Sequence, residues 1–246
     1  MRLLAPLALI GALASPLTAQ EMTDAERDAF RAEVRAYLLD NPEVIVEAID
    51  ILEARQAEQA RLQDLELVAA NADDLFESPS SFVGGNPDGD ITVVEFLDYR
   101  CGYCKRAHPE VAALVNADPN IRYVIKEFPI LGEESVIASR YAIAVQQVAG
   151  DEAYYNVHNT LMEFQGDFSD ANLERVSTAY GLDHDAVVAA MDSEEVTAVI
   201  YENRLLAQKL SISGTPSFVF ENQMVRGYVP LAQMERIVDT ARSQDG

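Results

Sequence analysis

From residue 23 onward the apolar positions recur at helical spacing, first at Phe30, Val34, Tyr37 and Leu38, then at Val44, Ile45, Ala48, Ile49 and Leu52. Thr23-Asp24-Ala25-Glu26 has the spacing of a capping box ahead of the first stripe, and Asn41-Pro42 fits the start of a second helix. The stretch from Glu53 to Arg61 has almost nothing to bury, and apolar residues return at Leu62, Leu65 and Val68. Two apolar patches joined by a polar helical spacer predict an arm rather than part of a core.

The rhythm changes after Ser78-Pro79-Ser80-Ser81 and Gly84-Gly85-Asn86-Pro87-Asp88-Gly89, two turn-forming clusters that read as a boundary. Residues 91–97 form a near-continuous apolar run, the pattern of a strand buried on both faces. A helix is predicted from the cysteines through Val111, Leu114 and Val115, and a strand over 121–127, together a parallel strand–helix–strand unit. From Glu133 to about Leu210 the spacing is helical throughout, with stripes such as Ala138, Tyr141, Ala142 and Val145, and Tyr154, Val157 and Leu161. Ser217-Phe218-Val219-Phe220 and Met224-Val225-Arg226-Gly227 read as a hairpin, and Pro230 to Ala241 as a closing helix.

The first residues carry a different signal. Arg2, the apolar stretch Leu3 to Leu13 and Leu17-Thr18-Ala19 have the layout of a signal peptide over residues 1–19, with an uncleaved anchor as the weaker reading. A cleaved signal predicts export to a bacterial periplasm, where disulfides persist. The net charge is −23, from 18 basic and 41 acidic residues. Such a surface repels nucleic acid and anionic headgroups, so nucleic-acid binding is excluded on that ground. No later apolar stretch is long enough for stable membrane insertion.

The chemistry concentrates in Cys101-Gly102-Tyr103-Cys104, which holds both cysteines of the chain. A disulfide closing so short a loop is a poor staple, which favours a redox role. Cys101 at the first turn of a helix has its thiolate stabilised by unpaired N–H groups and the helix dipole, and Cys104, one turn on, is the more enclosed. Arg100, Lys105 and Arg106 add positive charge beside it. A structural zinc site wants four ligands, and His108, His158 and His184 form no close pair, so no metal is assigned. All three histidines read as surface residues. No cofactor is expected beyond a redox-active Cys101–Cys104 disulfide.

Val94-Glu95-Phe96 ahead of the Cys-Gly-Tyr-Cys motif, Pro109 in the following helix, the turn Phe128-Pro129-Ile130-Leu131-Gly132 and Gly214-Thr215-Pro216 before a strand occur in a fixed order. In these residues, roughly 75–246, the chain resembles the DsbA family of thiol-disulfide oxidoreductases, in its ScsC-like branch with a helical N-terminal extension. The resemblance implies an α/β thioredoxin fold with an inserted helical subdomain at about 132–211. The expected layout is a signal peptide at 1–19, a helical arm at 20–72 and the thioredoxin domain at 73–246.

It further implies that Pro216 is cis and faces the cysteines, leaving its carbonyl and that of Thr215 open to a substrate strand. Glu95 would be the buried acid below the site, against the plainer reading of a strand-end carboxylate in water. Gly102-Tyr103 is the dipeptide of DsbC-type isomerases, which also place threonine before the proline, so a milder oxidant is expected. The function so read is formation or isomerisation of disulfides in exported proteins. Its partners are those substrates, a membrane redox partner and, through residues 22–70, further copies of the chain; docking of the arm on its own domain is the competing reading. The alternative function is copper binding or copper tolerance through the same thiols.

Overall fold

The computed structural model describes residues 22–244; the expected signal peptide lies outside them. The chain divides into two compact units, one ending at Gln56 and the other starting at Ala57.

In the first unit, helix α1 (Asp24–Asp40) starts at the expected capping box. The Thr23 hydroxyl accepts from the Glu26 N–H at 3.3 Å, and the Glu26 carboxylate accepts from the Thr23 N–H at 2.8 Å. Helix α1 ends at Asn41, whose side-chain amide donates to the Tyr37 carbonyl at 2.9 Å. Helix α2 (Glu43–Ala70) begins after Pro42. Phe30, Val34, Tyr37, Ile45, Ile49 and Leu52 all remain exposed, and α1 buries no residue.

The second unit is built on a five-stranded sheet of order β1-β3-β2-β4-β5, made of β1 (Phe82–Gly85), β2 (Ile91–Leu97), β3 (Ile121–Glu127), β4 (Ser217–Phe220) and β5 (Gln223–Arg226). Strands β2 and β3 pair in parallel across helix α4 (Gly102–Ala117), and every other pairing is antiparallel. Between β3 and β4 lie four helices, α5 (Glu133–Glu163), α6 (Asp170–Tyr180), α7 (His184–Met191) and α8 (Glu194–Lys209). Helix α9 (Leu231–Gln244) closes the chain. This is the α/β thioredoxin fold with a helical insertion that the sequence predicts. Helix α5 is interrupted at Gly150, whose φ of 85° is a conformation that side chains disfavour.

Strand β1 is not anticipated by the sequence, which reads residues 78–81 and 84–89 as turn-forming clusters. Phe82 to Gly85 pair as a strand because the outer edge of β3 offers them partners, Phe82 opposite Ile125 and Gly85 opposite Arg122. Short helix α3 (Ala72–Phe76) and the end of α2 also belong to this unit: Val68 and Leu75 pack with Val94, Phe96 and Val124 on one side of the sheet. Asp64 and Arg226 form a two-bond ion pair at 2.8 Å that ties the end of α2 to β5.

Candidate active site

The apolar run of β2 ends at Leu97, and a turn held by Asp98 delivers the motif to the start of α4. The buried Asp98 carboxylate accepts from the main-chain N–H groups of Arg100 at 2.7 Å, Ile130 at 2.8 Å and Leu131 at 3.0 Å. Cys101 is the N-cap of α4 and its carbonyl accepts from the Lys105 N–H, so its sulfur lies where the first N–H groups of the helix are unpaired. Cys101 is 7% exposed and Cys104 0%, and neither is bonded to the other. The Cys101 thiol donates to the Thr215 carbonyl at 3.1 Å, and the Thr215–Pro216 peptide is cis.

The two thiols differ sharply. Cys101 is lowered to about 5, chiefly by the Cys104 thiol donating to its sulfur, with the Thr215 side chain and the N–H groups of Cys104 and Tyr103 adding to it against the opposing effect of burial. Burial pushes Cys104 far above the ordinary thiol range, and its donation to Cys101 and the charge of Glu95 push it the same way. One sulfur is poised as a thiolate and its neighbour keeps its proton. The cations beside the motif are engaged elsewhere: Arg100 pairs with Glu134 at 3.3 Å, Lys105 donates to the Phe164 carbonyl, and the Arg106 guanidinium lies over the Tyr228 ring at 4.4 Å. The expected help from nearby positive charge is therefore replaced by direct hydrogen bonds to the sulfur.

Glu95 is 2% exposed, accepts from the Tyr123 hydroxyl at 2.5 Å and is raised to about 7, mainly by burial. The plainer expectation, a strand-end carboxylate in water, does not hold. Tyr103 is 61% exposed, its ring stacked on Tyr228 at 6.4 Å. A side chain at Gly102 would meet nothing within 4 Å, so space does not dictate glycine there. Thr215 is half-buried and Pro216 buried. The Pro216 carbonyl accepts from the Gly227 N–H at 2.9 Å. That corrects the expectation that both carbonyls stand open: the pairing of the hairpin consumes Pro216, and the Thr215 carbonyl is the one that faces the motif.

The histidines require a larger correction. His158 is 1% exposed, its Nδ1 is 3.1 Å from the Tyr99 hydroxyl, and burial lowers it to about 3. His108 is half-buried with its ring 5.2 Å from that of His158, and His184 is held between Ser177 and Asp170. These two close rings come from α4 and α5, a pairing that sequence separation conceals. Sequence reasoning also passes over Glu127, a buried carboxyl that accepts from Tyr99, Tyr154 and Ser139. Two signals were available. Glu127 continues the Tyr123, Ile125 alternation of β3, and His158 lies one helical turn beyond Tyr154. Among the described residues no group of three or more His, Cys, Asp or Glu could hold a metal ion, and no helix is long and apolar enough to cross a membrane.

Comparison with known proteins places this geometry. Residues 26–59 match the family described as the copper resistance protein ScsC N-terminal domain. A solved thioredoxin-like oxidoreductase from Silicibacter pomeroyi is 47% identical, covering 70% of this chain and 97% of that one with a TM-score of 0.65. Proteus mirabilis ScsC, in a structure described as a transitional conformation, is 28% identical over 91% of this chain and 98% of that one, with a TM-score of 0.66. The Na(+)/H(+) antiporter NhaA 1 of Salinispora arenicola is 29% identical over 160 residues, 65% of this chain, which spans about a quarter (24%) of that curated relative's length. Residues 92–239, which hold the motif, the buried acids and the cis proline, match the DSBA-like thioredoxin domain, and the chain belongs to that family.

Proposed function

We propose that the protein is a periplasmic thiol-disulfide oxidoreductase that forms or isomerises disulfides in exported proteins, with Cys101 as the attacking and leaving sulfur and Cys104 as the resolving one. The observation that carries this reading is the asymmetry of the pair. Cys101 is lowered to about 5 beside a Cys104 pushed far up, next to the Thr215 carbonyl. A thiol of low pKa is a good leaving group, so a disulfide through Cys101 is readily opened by substrate thiolates.

In the oxidised form a substrate thiolate attacks the Cys101 sulfur, the Cys101–Cys104 bond breaks, and Cys104 leaves as a thiolate that takes up a proton. A second substrate thiolate then attacks the substrate sulfur of the mixed disulfide and Cys101 departs as its stable thiolate. The substrate has lost two electrons and the enzyme's disulfide has gained them, so no other cofactor is needed. Recharging requires a redox partner, in this reading one in the membrane. In the reduced form the Cys101 thiolate attacks wrongly paired disulfides, and Cys104 frees stalled intermediates. Tyr103 and Gly102 shape the rim, Glu95 exchanges the proton of Cys104, and Thr215, just before the buried Pro216, presents its carbonyl to a substrate strand. The Gly-Tyr pair and the threonine before the proline favour isomerase over strong oxidase.

The exposed apolar positions of α1 and α2 support self-association, which would set several sites around one substrate. Light scattering of the mature chain beside one lacking residues 22–56 tests this; a monomer in both removes it. Equilibration with a glutathione series, run beside refolding of a scrambled disulfide protein, tests the main reading. Turnover that vanishes in Cys101→Ser and mixed disulfides that accumulate in Cys104→Ala are expected, and a Cys101→Ser variant with intact turnover overturns it. Copper binding has the name of the N-terminal family on its side, and Cu(I) titration beside insulin reduction weighs it: tight copper on a wild type without redox turnover reverses the order.

A further inference from the structure

In the parallel pairing of β2 and β3, Glu95 stands opposite Ile125 and Leu97 opposite Glu127. Side chains two residues apart share a face, so both carboxyls project from the same side of the sheet. Both are buried. Glu127 Oε1 accepts from the Tyr99 and Tyr154 hydroxyls at 2.7 Å each, and Oε2 accepts from Ser139 at 2.7 Å. Among the described residues three neutral donors and no cation hold this group, which burial raises to about 7. It rests between its two charge states, not locked in one.

Tyr99 has a second partner in His158 Nδ1, and the other ring nitrogen of His158, Nε2, is buried with no partner among the described residues. Such an atom is costly if nothing ever satisfies it. The His108 ring lies 5.2 Å away at 74°, and His108 lines a cleft between α4 and α5 together with Lys105, Asn159 and Glu163. Carboxyl, phenol and imidazole thus run in series from the sheet, and the His108 ring beside His158 carries the series to an open cleft. We propose that Glu127 is a proton store for the thiol chemistry, filled and emptied through Tyr99, His158 and His108, and that it acts on Cys104 through Glu95.

The proton count closes. With Glu127 ionised, the Tyr99 hydroxyl donates to it, His158 Nδ1–H donates to the Tyr99 oxygen, and Nε2 is bare. A proton arriving at Nε2 sends the Nδ1 proton to Tyr99 and the Tyr99 proton to Glu127. One proton enters, one carboxylate is neutralised, and His158 is left in its other tautomer. The inference rests on the oxidoreductase reading above, in which Cys104 resolves a mixed disulfide. There Cys104 gives its proton to Glu95, its sulfur bonds to that of Cys101, and the substrate sulfur leaves as a thiolate that protonates in solvent. Glu95 accepts that proton only when ionised, and an ionised Glu127 on the same face opposes its ionisation, a mutual effect. A proton stored on Glu127 lifts the opposition. Other groups facing Glu127 are Asp98, which holds three N–H groups, Tyr154 and Ser139 from α5, and Asn203 of α8, which donates to its main-chain carbonyl at 3.1 Å. None of them is a cation that would pin it in the charged form.

The test uses the full chain with 5-thio-2-nitrobenzoate disulfide-bonded to Cys101, its release by Cys104 followed by absorbance across the pH range. Glu127→Gln should move the inflection of the release rate to lower pH by roughly one unit, the size of a neighbouring charge. His158→Phe cuts the path without touching the carboxyl and should slow release severalfold with the inflection in place. If the glutamine variant does not fold, Tyr99→Phe carries the same test and should both slow release and shift the inflection down. Profiles of Glu127→Gln or Tyr99→Phe that superimpose on wild type, or a His158→Phe variant as fast as wild type, overturn the proton store alone. A wild type that releases nothing overturns the oxidoreductase reading and this inference with it.

Discussion

One side of the central sheet presents Val94, Phe96, Val124 and Val219 to Leu75, Leu206 and Leu210, an apolar layer completed by Val68 and Ile212. The other side, under α4, α5 and α9, presents Glu95 and Glu127 among Val93, Leu97, Tyr123 and Ile125. The same strands supply both sides in alternation, so the difference is one of which residues face which way. The first side holds the sheet together by area removed from water, an effect indifferent to pH. The second accepts the cost of two buried carboxyls, and a cost of that kind is kept where chemistry uses it. Lys126 is the exception on the apolar side. Its ammonium is met by the Asp74 carbonyl at 2.7 Å and the Ser81 hydroxyl at 2.8 Å.

The most damaging test of this division is at the sulfur above the acidic side. Cys104→Ala removes the donor that holds Cys101 at about 5, so its alkylation midpoint should climb toward the free-thiol value of about 8.5. A midpoint that stays put would assign the shift to the helix terminus instead. Next, Phe96→Ala should cost about 3–5 kcal/mol in denaturant unfolding while leaving the pH dependence of turnover unchanged. A changed pH profile would break the separation between the two sides.

The third effect concerns pH and stability. Glu95 and Glu127 both sit near 7 in the folded chain and near 4.5 unfolded. Between those values the folded chain keeps protons that the unfolded chain has released, so their contribution is complete below about 4.5 and lost as pH rises through 7. Glu95→Gln should remove part of that decline in urea unfolding followed from pH 4 to 8. The smallest effect belongs to Lys126, lowered to about 8 from 10.5 chiefly by burial. There the unfolded chain binds more protons between those values, so stability rises with pH across that window, and Lys126→Met should flatten the rise.

What the sequence discloses and conceals follows the same division. Strands β2, β3 and β4 and helix α4 are legible because apolar runs and the cysteine motif are local signals. Strand β1 is not, since Phe82-Val83-Gly84-Gly85 becomes a strand only because the edge of β3 receives it. Cys101, Cys104, Glu95 and the cis proline lie within motifs. Glu127 and His158 do not: their partners Tyr99, Ser139 and Tyr154 come from other elements, and only folding brings them together. Arg100, Lys105 and Arg106 show the opposite error, adjacent in sequence to the sulfur but spent on Glu134, Phe164 and Tyr228.

Asp98 works as a rivet. One carboxylate clasps the amide of Arg100 and those of Ile130 and Leu131, so the bend that carries the sulfur and the corner leading into the helical block are fastened to a single point. Neither can drift without dragging the other. An asparagine there would turn an NH2 toward at least one amide, and slack between the two corners would blunt the aim of the sulfur before the sheet beneath gave way.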